Sequence, residues 1–251
     1  MAVFTKRLKL KKLLLITAAF FVNSLCANNQ SLALAKQEFL LGNYDESIII
    51  AEKLNTIEAK IFQSRAISVY AHFFLEDKIA KEKFLDAYQI MKKLSLKYSG
   101  NAEIYTEAAH ALGRYGQKIG IMLAISEGIA NRVKSYLDKA LKIDSNNIIA
   151  NLSKGLWHAE IINQAGKTLA KAIYGADINK AREYFTKAYN INSQEISVLY
   201  ELAYGYYLLG TDADLLLSKK LLKHLLSLKE IAHIDQFYKD KALKLQNKID
   251  T

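Results

Sequence analysis

Apolar residues recur along this chain at three- and four-residue intervals, in successive blocks that stop at glycine, asparagine or serine. That period is helical. Leu32, Leu34, Ala35, Phe39 and Leu40 predict a helix over Ser31–Leu41, and Leu41-Gly42-Asn43 ends it, since glycine accepts the left-handed residue after a helix. Ile48, Ile49, Ala51 and Leu54 predict a second over Tyr44–Leu54. Helices joined by so short a turn lie antiparallel. Ile57–Phe74 and Lys78–Lys97 form the next pair, the latter with Phe84, Ala87, Ile90, Met91 and Leu94 on one face. Asn101 is the predicted cap of the following helix, with Glu103 and Glu107 in its early turns. That helix is predicted to be long, from Ala102 to about Ser126, with Gly113, Gly116 and Gly120 spaced to admit another helix. Ala130–Ile143 returns, and Asp144–Asn147 supplies turn and cap. A second long helix runs from Ile148 to about Tyr174, stopped by Gly175. Asn179–Ile191, Ile196–Leu209, Ala213–Leu228 and Ile231–Ile249 follow, with Asn192-Ser193 as a further cap.

The third and fourth pairs repeat one another. Ser135–Asn147 returns as Glu183–Glu195, 48 residues later: Tyr136, Lys139, Ala140, Ile143 and Ser145 recur as Tyr184, Lys187, Ala188, Ile191 and Ser193. Upstream, Ala102, His110 and Ala111 recur as Ala150, His158 and Ala159. A fixed period of this size marks a repeat architecture, in which each unit exposes an apolar face that its neighbour covers. The prediction is an all-α solenoid of four to five antiparallel helical hairpins, with the two long central ones enlarging its groove. The sequence contains no proline, and 51% of its residues are hydrophobic, enough for a continuous core.

The first 27 residues read as an address and 28–251 as one repeat domain. Lys6, Arg7, Lys9, Lys11 and Lys12 precede an apolar run from Leu13 to Val22, which closes on Asn23, Ser24, Leu25, Cys26 and Ala27. Charge, short apolar segment and small residues in that order make a secretory signal. The run is shorter than the roughly 20 residues a membrane span needs. Cleavage after Cys26 or Ala27, lipidation of Cys26 as a lipoprotein, and an uncleaved anchor are all open. Each predicts an exported, periplasmic chain that meets membrane only through this segment. Five basic residues belong to the leader, so half of the formal charge of +10 goes with it. The remaining lysines alternate with acids along helix faces, and arginine occurs only at 7, 65, 114, 132 and 182. That pattern is a solvated surface rather than a nucleic-acid reader, which favours arginine at its specific contacts.

Leu41-Gly42-Asn43-Tyr44-Asp45-Glu46-Ser47-Ile48 resembles the turn of the tetratricopeptide (TPR) repeat, usually written like GDYDEAI. Asp138–Asn146, DKALKIDSN, resembles that repeat's ending, KALELDPNN, and Thr186–Asn192 does so more loosely. The usual proline is Ser145 or Ser193, either of which can cap the next helix. The period exceeds the usual roughly 34 residues, which makes the first helices of repeats three and four too long. The chain thus resembles exported bacterial TPR proteins with lengthened repeats and, more distantly, the T component of TRAP transporters. The resemblance implies a TPR-like α-solenoid that binds a protein or peptide without chemistry of its own. The transporter likeness implies instead a pocket for a small hydrophobic ligand.

Candidate chemistry is sparse. Gly166-Lys167-Thr168 looks like the end of a phosphate-binding loop, but Ile161 stands where its first glycine belongs and the context is helical. His110 and His158 hold equivalent repeat positions and read as packing histidines; no HxxxH or HxxE spacing accompanies them. No metal ligand set, cofactor motif or catalytic constellation stands out. The candidate contacts for a ligand or partner are Arg114, Tyr115 and Gln117 on the first long helix, Trp157, His158 and Glu160 on the second, and Tyr204 and Tyr207 in a tyrosine cluster. Tyrosine brings large contact area with few rotors, and it also fills repeat cores.

Overall fold

The computed structural model describes residues 29–191 and 194–251; the leader with Cys26, and the cap predicted at Asn192-Ser193, lie outside them. Helices occupy nearly all of the described chain, with no strand among the described residues. They are α1 (29–41), α2 (Tyr44–Lys53), α3 (Ile57–Phe74), α4 (Asp77–Lys97), α5 (Ala102–Ile119), α6 (Ile121–Ser126), α7 (Ile129–Ile143) and α8 (Ile148–Ala165). There follow α9 (Lys167–Leu169), continued by a π-helical turn at Ala170–Tyr174, then α10 (Ile178–Ile191), α11 (Ile196–Leu209), α12 (Asp212–Ser227) and α13 (His233–Asp250). The helices pair as α1/α2, α3/α4, α5/α7, α8/α10 and α11/α12, and α3, α5, α8 and α11 pack on one another in order as an inner layer. The architecture is the all-α solenoid of antiparallel hairpins that the hydrophobic pattern predicts, and it is TPR-like, as the motif resemblance implies.

Local chemistry sets the boundaries. Asn101 accepts from the backbone N–H groups of Glu103 (2.9 Å) and Ile104 (3.3 Å) and starts α5 as predicted. At α8 the cap is Asn147, which accepts from the Ala150 N–H at 2.8 Å. Ser145 does not cap; its carbonyl accepts from Asn151 Nδ2 at 3.0 Å. The last helix starts later than its apolar pattern because the Asp235 carboxylate accepts from the N–H groups of Ile231 and Ala232, at 2.8 and 2.9 Å.

The two long helices are not continuous. Gly120 has φ +95° and Gly166 φ +73°, values that break a right-handed helix and that other residues adopt only with strain. The extra length of the third and fourth repeats is folded into α6 and into α9 with its π turn. Gly116 does admit a close neighbour: α6 and α7 lean on it through Ala124 and Ile129.

Small residues sit where helices cross. Ala140, Ala188, Ala111, Ala159 and Ala150, all in the repeating pattern, are fully buried. Phe185 on α10 is buried with its ring between Gly155 of α8 and Gly205 of α11, so close that a Cβ on either glycine would overlap it. One apolar core runs through the central repeats, and a second joins α2, α11, α12 and α13 through Tyr44, Leu199, Leu222, Leu225 and Tyr238. The second core ties the end of the chain to its beginning. The Phe74 ring lies 4.9 Å from Tyr44 and 4.8 Å from Phe237, and Phe73 lies 4.8 Å from Tyr238. The solenoid therefore does not present an open groove: α13 crosses from α11 and α12 to α3 and roofs it.

Candidate functional site

Beneath that roof is a cavity of about 540 Å³. Val69, Ile129, Val133, Ile149, Leu152, Leu156 and Ile234 contribute to its largely apolar wall. A volume in this range suits a small ligand or a few inserted side chains.

A polar stripe runs along the cavity on α5: Glu107, His110, Arg114 and Gln117. Steps of three and four residues keep them on one helix face, over about 15 Å at 1.5 Å per residue. Neighbouring helices answer Glu107, Arg114 and Gln117, while His110 is met from α5 itself. Arg65 of α3 donates to Glu107 Oε1 from Nε (2.8 Å) and Nη2 (2.7 Å). Arg114 donates to His110 Nε2 (3.4 Å), to Gln117 Oε1 (3.0 Å) and to Glu201 Oε1 of α11. Gln117 Nε2 donates to Glu160 Oε1 of α8 at 2.5 Å. The stripe thus stitches all four inner helices together.

Burial and pairing pull these groups in different directions. Burial alone would push the Glu107 carboxyl up, but Arg65 and His110 outweigh it and hold it at about 2. Burial would likewise lower Arg114, yet Glu201, Tyr238 and Glu160 raise it above the usual guanidinium range, so it stays charged. Glu160 goes the other way: burial raises it to about 7 against the opposing Gln117 hydrogen bond and Arg114 charge. At the roof, Lys241 Nζ stands 2.5 Å from His72 Nε2 and 4.3 Å from the Phe73 ring centre. Burial and then the Arg114 charge lower Lys241 to about 8 and hold His72 well below the ordinary imidazole value. That pair is therefore one ammonium against a neutral ring.

Of the residues singled out in the sequence, Arg114, Gln117 and Glu160 converge in this network. Trp157 also lines the cavity, anchored by its Nε1 hydrogen bond to the Ala130 carbonyl at 2.8 Å. His158 is buried elsewhere: its Nδ1 accepts from the Asp177 N–H at 3.1 Å and its ring stacks on Tyr184 at 5.9 Å, which fixes the entry to α10. Tyr115 packs against the Ala71, Ala80 and Phe84 cluster, away from the cavity lining. Tyr204 and Tyr207 continue a stack from Tyr200, with ring centres 6.3 and 6.4 Å apart, and neither lines the cavity. Arg65, Glu107 and Glu201, none of them among the candidate contacts named from the sequence, complete the stripe. Their only sequence signal is charge on otherwise apolar inner faces.

Glu160 gives this site a pH signature. Its folded value of about 7 lies above the ordinary 4.5. Protonation therefore favours the folded state; that contribution is full below the unfolded value and lost as pH rises through 7. Glu160→Gln should be more stable than the parent at pH 8, by about 3 kcal/mol, with the advantage gone near pH 4.5. Thermal melts at both values test this; an equal difference at the two pH values would contradict the assignment. His158 works in the opposite sense. Burial and then Lys154 lower it to about 4, so it withdraws stability as pH falls from the unfolded imidazole range through 4.

The sequence matches RMD1-3, the family described as Regulator of microtubule dynamics protein 1-3, over residues 62–250. The chain belongs to this family. The RMD1-3 match begins within α3 and reaches the end of α13, so it takes in the polar stripe and its roof. No curated protein matches the chain. Among solved structures, a thermophilic TPR protein of Thermus thermophilus is similar at TM-score 0.60 and 16% identity, covering 86% of this chain and 99% of that one. At that identity the likeness shows the fold alone.

Proposed function

We propose that this RMD1-3 family member is a non-catalytic helical scaffold whose roofed lumen receives part of a protein or peptide partner in the bacterial cell envelope. The observation that carries the reading is the lumen itself. Apolar walls surround a stripe whose charged groups are mostly paired with one another, an arrangement built for recognition rather than for proton transfer. The TPR-like fold supports a protein partner, since stacked repeats present extended concave surfaces. The family's description, regulation of microtubule dynamics, also names an assembly of protein as the target for its members. The predicted leader supports the envelope as the place.

A photo-crosslinking residue at Leu156, on the lumen wall, tests the proposal against one at Lys92, exposed on α4. Adducts to one protein from the periplasmic fraction at Leu156 and not at Lys92 are expected. No adduct at Leu156, equal adducts at both sites, or a chain confined to the cytoplasm would overturn it.

The apolar wall favours a second reading, a small hydrophobic ligand held beneath α13. Native mass spectrometry of the purified chain would then show a retained apolar molecule of one mass.

A further inference from the structure

Glu160 is the stripe carboxyl most open to the lumen. Glu107 has an oxygen without a donor, but that atom is sealed. Glu201 is buried and holds Arg114. Glu160 differs from both. It lines the lumen, and its Oε1 is taken by Gln117 Nε2 at 2.5 Å. Among the described residues no donor meets its Oε2, and that atom keeps accessible surface. Protein rings the side chain closely enough for burial to dominate its titration, yet it is half-buried rather than sealed. The space it faces is therefore the lumen.

Beside it there is room. Gly113 lines the lumen on α5, and a Cβ there would meet nothing within 4 Å. Gln117, which holds Glu160, is one turn further along α5, and Leu156 is one turn before Glu160 on α8. An occupant seated between Gly113 and Leu156 has the Glu160 carboxyl within one helical turn.

The groups around Glu160 select what that occupant can carry. α5 presents Arg114 and Gln117 to it, with His110 and the Lys241 ammonium of α13 on the far side of Arg114, and α11 presents Glu201 and Tyr204. α6 and α7 line the lumen with apolar residues. Arg114 repels a cation, Glu201 repels an anion, and the apolar wall penalises either. We propose that the lumen takes an uncharged occupant beside Gly113, whose carbonyl oxygen accepts a hydrogen bond from the Glu160 carboxyl O–H. Burial holds that carboxyl protonated up to about pH 7, which supplies the donor. The inference rests on the lumen being a binding site, as proposed above. The carbonyl can come from the backbone of an inserted partner segment or from a small ketone, ester or amide; the chemistry at Glu160 is the same.

The test uses methyl hexyl ketone, its counterpart with a methylene in place of the oxygen, n-octylammonium and n-octanoate. Binding to the purified mature chain is read by calorimetry and by the emission of Trp157, the single tryptophan, on the lumen wall. Each probe is measured at about pH 5.5 and about pH 8.5, on either side of the Glu160 transition. The carboxyl donates only when protonated, so the affinity of the ketone relative to the hydrocarbon should fall about fivefold as pH rises through 7. Taking that ratio at both values cancels the different solubilities of the two probes. Glu160→Gln keeps an N–H where the O–H was, so its ratio should stay at the low-pH value throughout. The same variant separates Glu160 from Lys241, which titrates near 8; its thermal melt confirms that it is folded. Gly113→Leu, also checked by its melt, fills the room and should abolish ketone binding. A capped leucine-alanine-leucine peptide and the alkene isostere of its central amide separate the sources. The same pH response in that pair assigns the carbonyl to a partner's backbone, and a response confined to the ketone pair assigns it to a small molecule. Either supports the proposal. If no probe binds, the lumen is not a binding site and both readings fall. The carbonyl seat is wrong, while the lumen stands, if the ratio ignores pH, if Glu160→Gln keeps the pH response, or if Gly113→Leu binds the ketone like the parent. It is equally wrong if octylammonium or octanoate binds as tightly as the ketone at the lower pH.

Discussion

Phe185→Ala should lower stability by about 3–5 kcal/mol, the upper range for an aromatic ring removed from a core. For a domain of this size that is roughly a 10 °C fall in melting temperature. The size follows from what surrounds the ring. A lost side chain costs least where neighbours can collapse into the space. Phe185 faces Gly155 on one side and Gly205 on the other, and neither has a side chain to move. Tyr206, 5.1 Å away between ring centres, is held within the main core. The converse change, Gly205→Ala, forces the ring out of its slot and should cost about 1–3 kcal/mol by overpacking. Phe185→Leu, which keeps part of the volume, should fall between the parent and the alanine variant. Thermal melts of the three variants test the ordering. A Phe185→Ala loss below about 1 kcal/mol would show that the ring does not wedge α8 and α11 apart.

The hairpins were legible in the sequence because their causes are local. The apolar period, the Leu41-Gly42-Asn43 stop and the Asn101 cap each act within a few residues, and the chain follows them. The Ala140 and Ala188 repeat was legible too, since small residues at a fixed period imply helix crossings. The breaks at Gly120 and Gly166 were not. The apolar pattern runs on past both glycines, and a helical glycine reads equally as a contact or as a break until its φ is known. The roof was illegible for a different reason. Residues 231–249 carry an ordinary amphipathic pattern, and only the fold shows that His233 meets Tyr44 across 189 residues, with Nδ1 3.1 Å from the hydroxyl. Half of the candidate site could have been narrowed by geometry alone. Arg114 and Gln117 are three residues apart and share a face; His158 and Glu160 are two apart, about 200° around a helix, and could not share a cavity. Glu201 lies 87 residues from Arg114, and no local pattern pairs them.

That pairing makes Arg114→Met the second large effect. Arg114 and Glu201 are the most enclosed ion pair of the stripe, with side chains 12% and 9% exposed. The methionine fills similar volume but leaves the Glu201 carboxylate without its cation in a nearly dry wall. Removing one member of a buried pair costs about 3–5 kcal/mol, most of it the uncompensated charge rather than the lost bond. Arg114→Met combined with Glu201→Met removes both charges and should recover most of the loss, because a well-packed apolar pair is often as stable as the ion pair it replaces. The two sites therefore couple strongly, and the double-mutant cycle measures that coupling directly. Relative to the parent at the same pH, acidification should restore part of the loss in the single variant, where it neutralises the stranded carboxylate, and none in the double variant. Urea denaturation at two pH values provides the measurement. If single and double variants lose the same amount, Glu201 has another cation or reaches water. The stripe would then be a row of independent surface charges rather than the brace that joins α5 to α11 beneath α13.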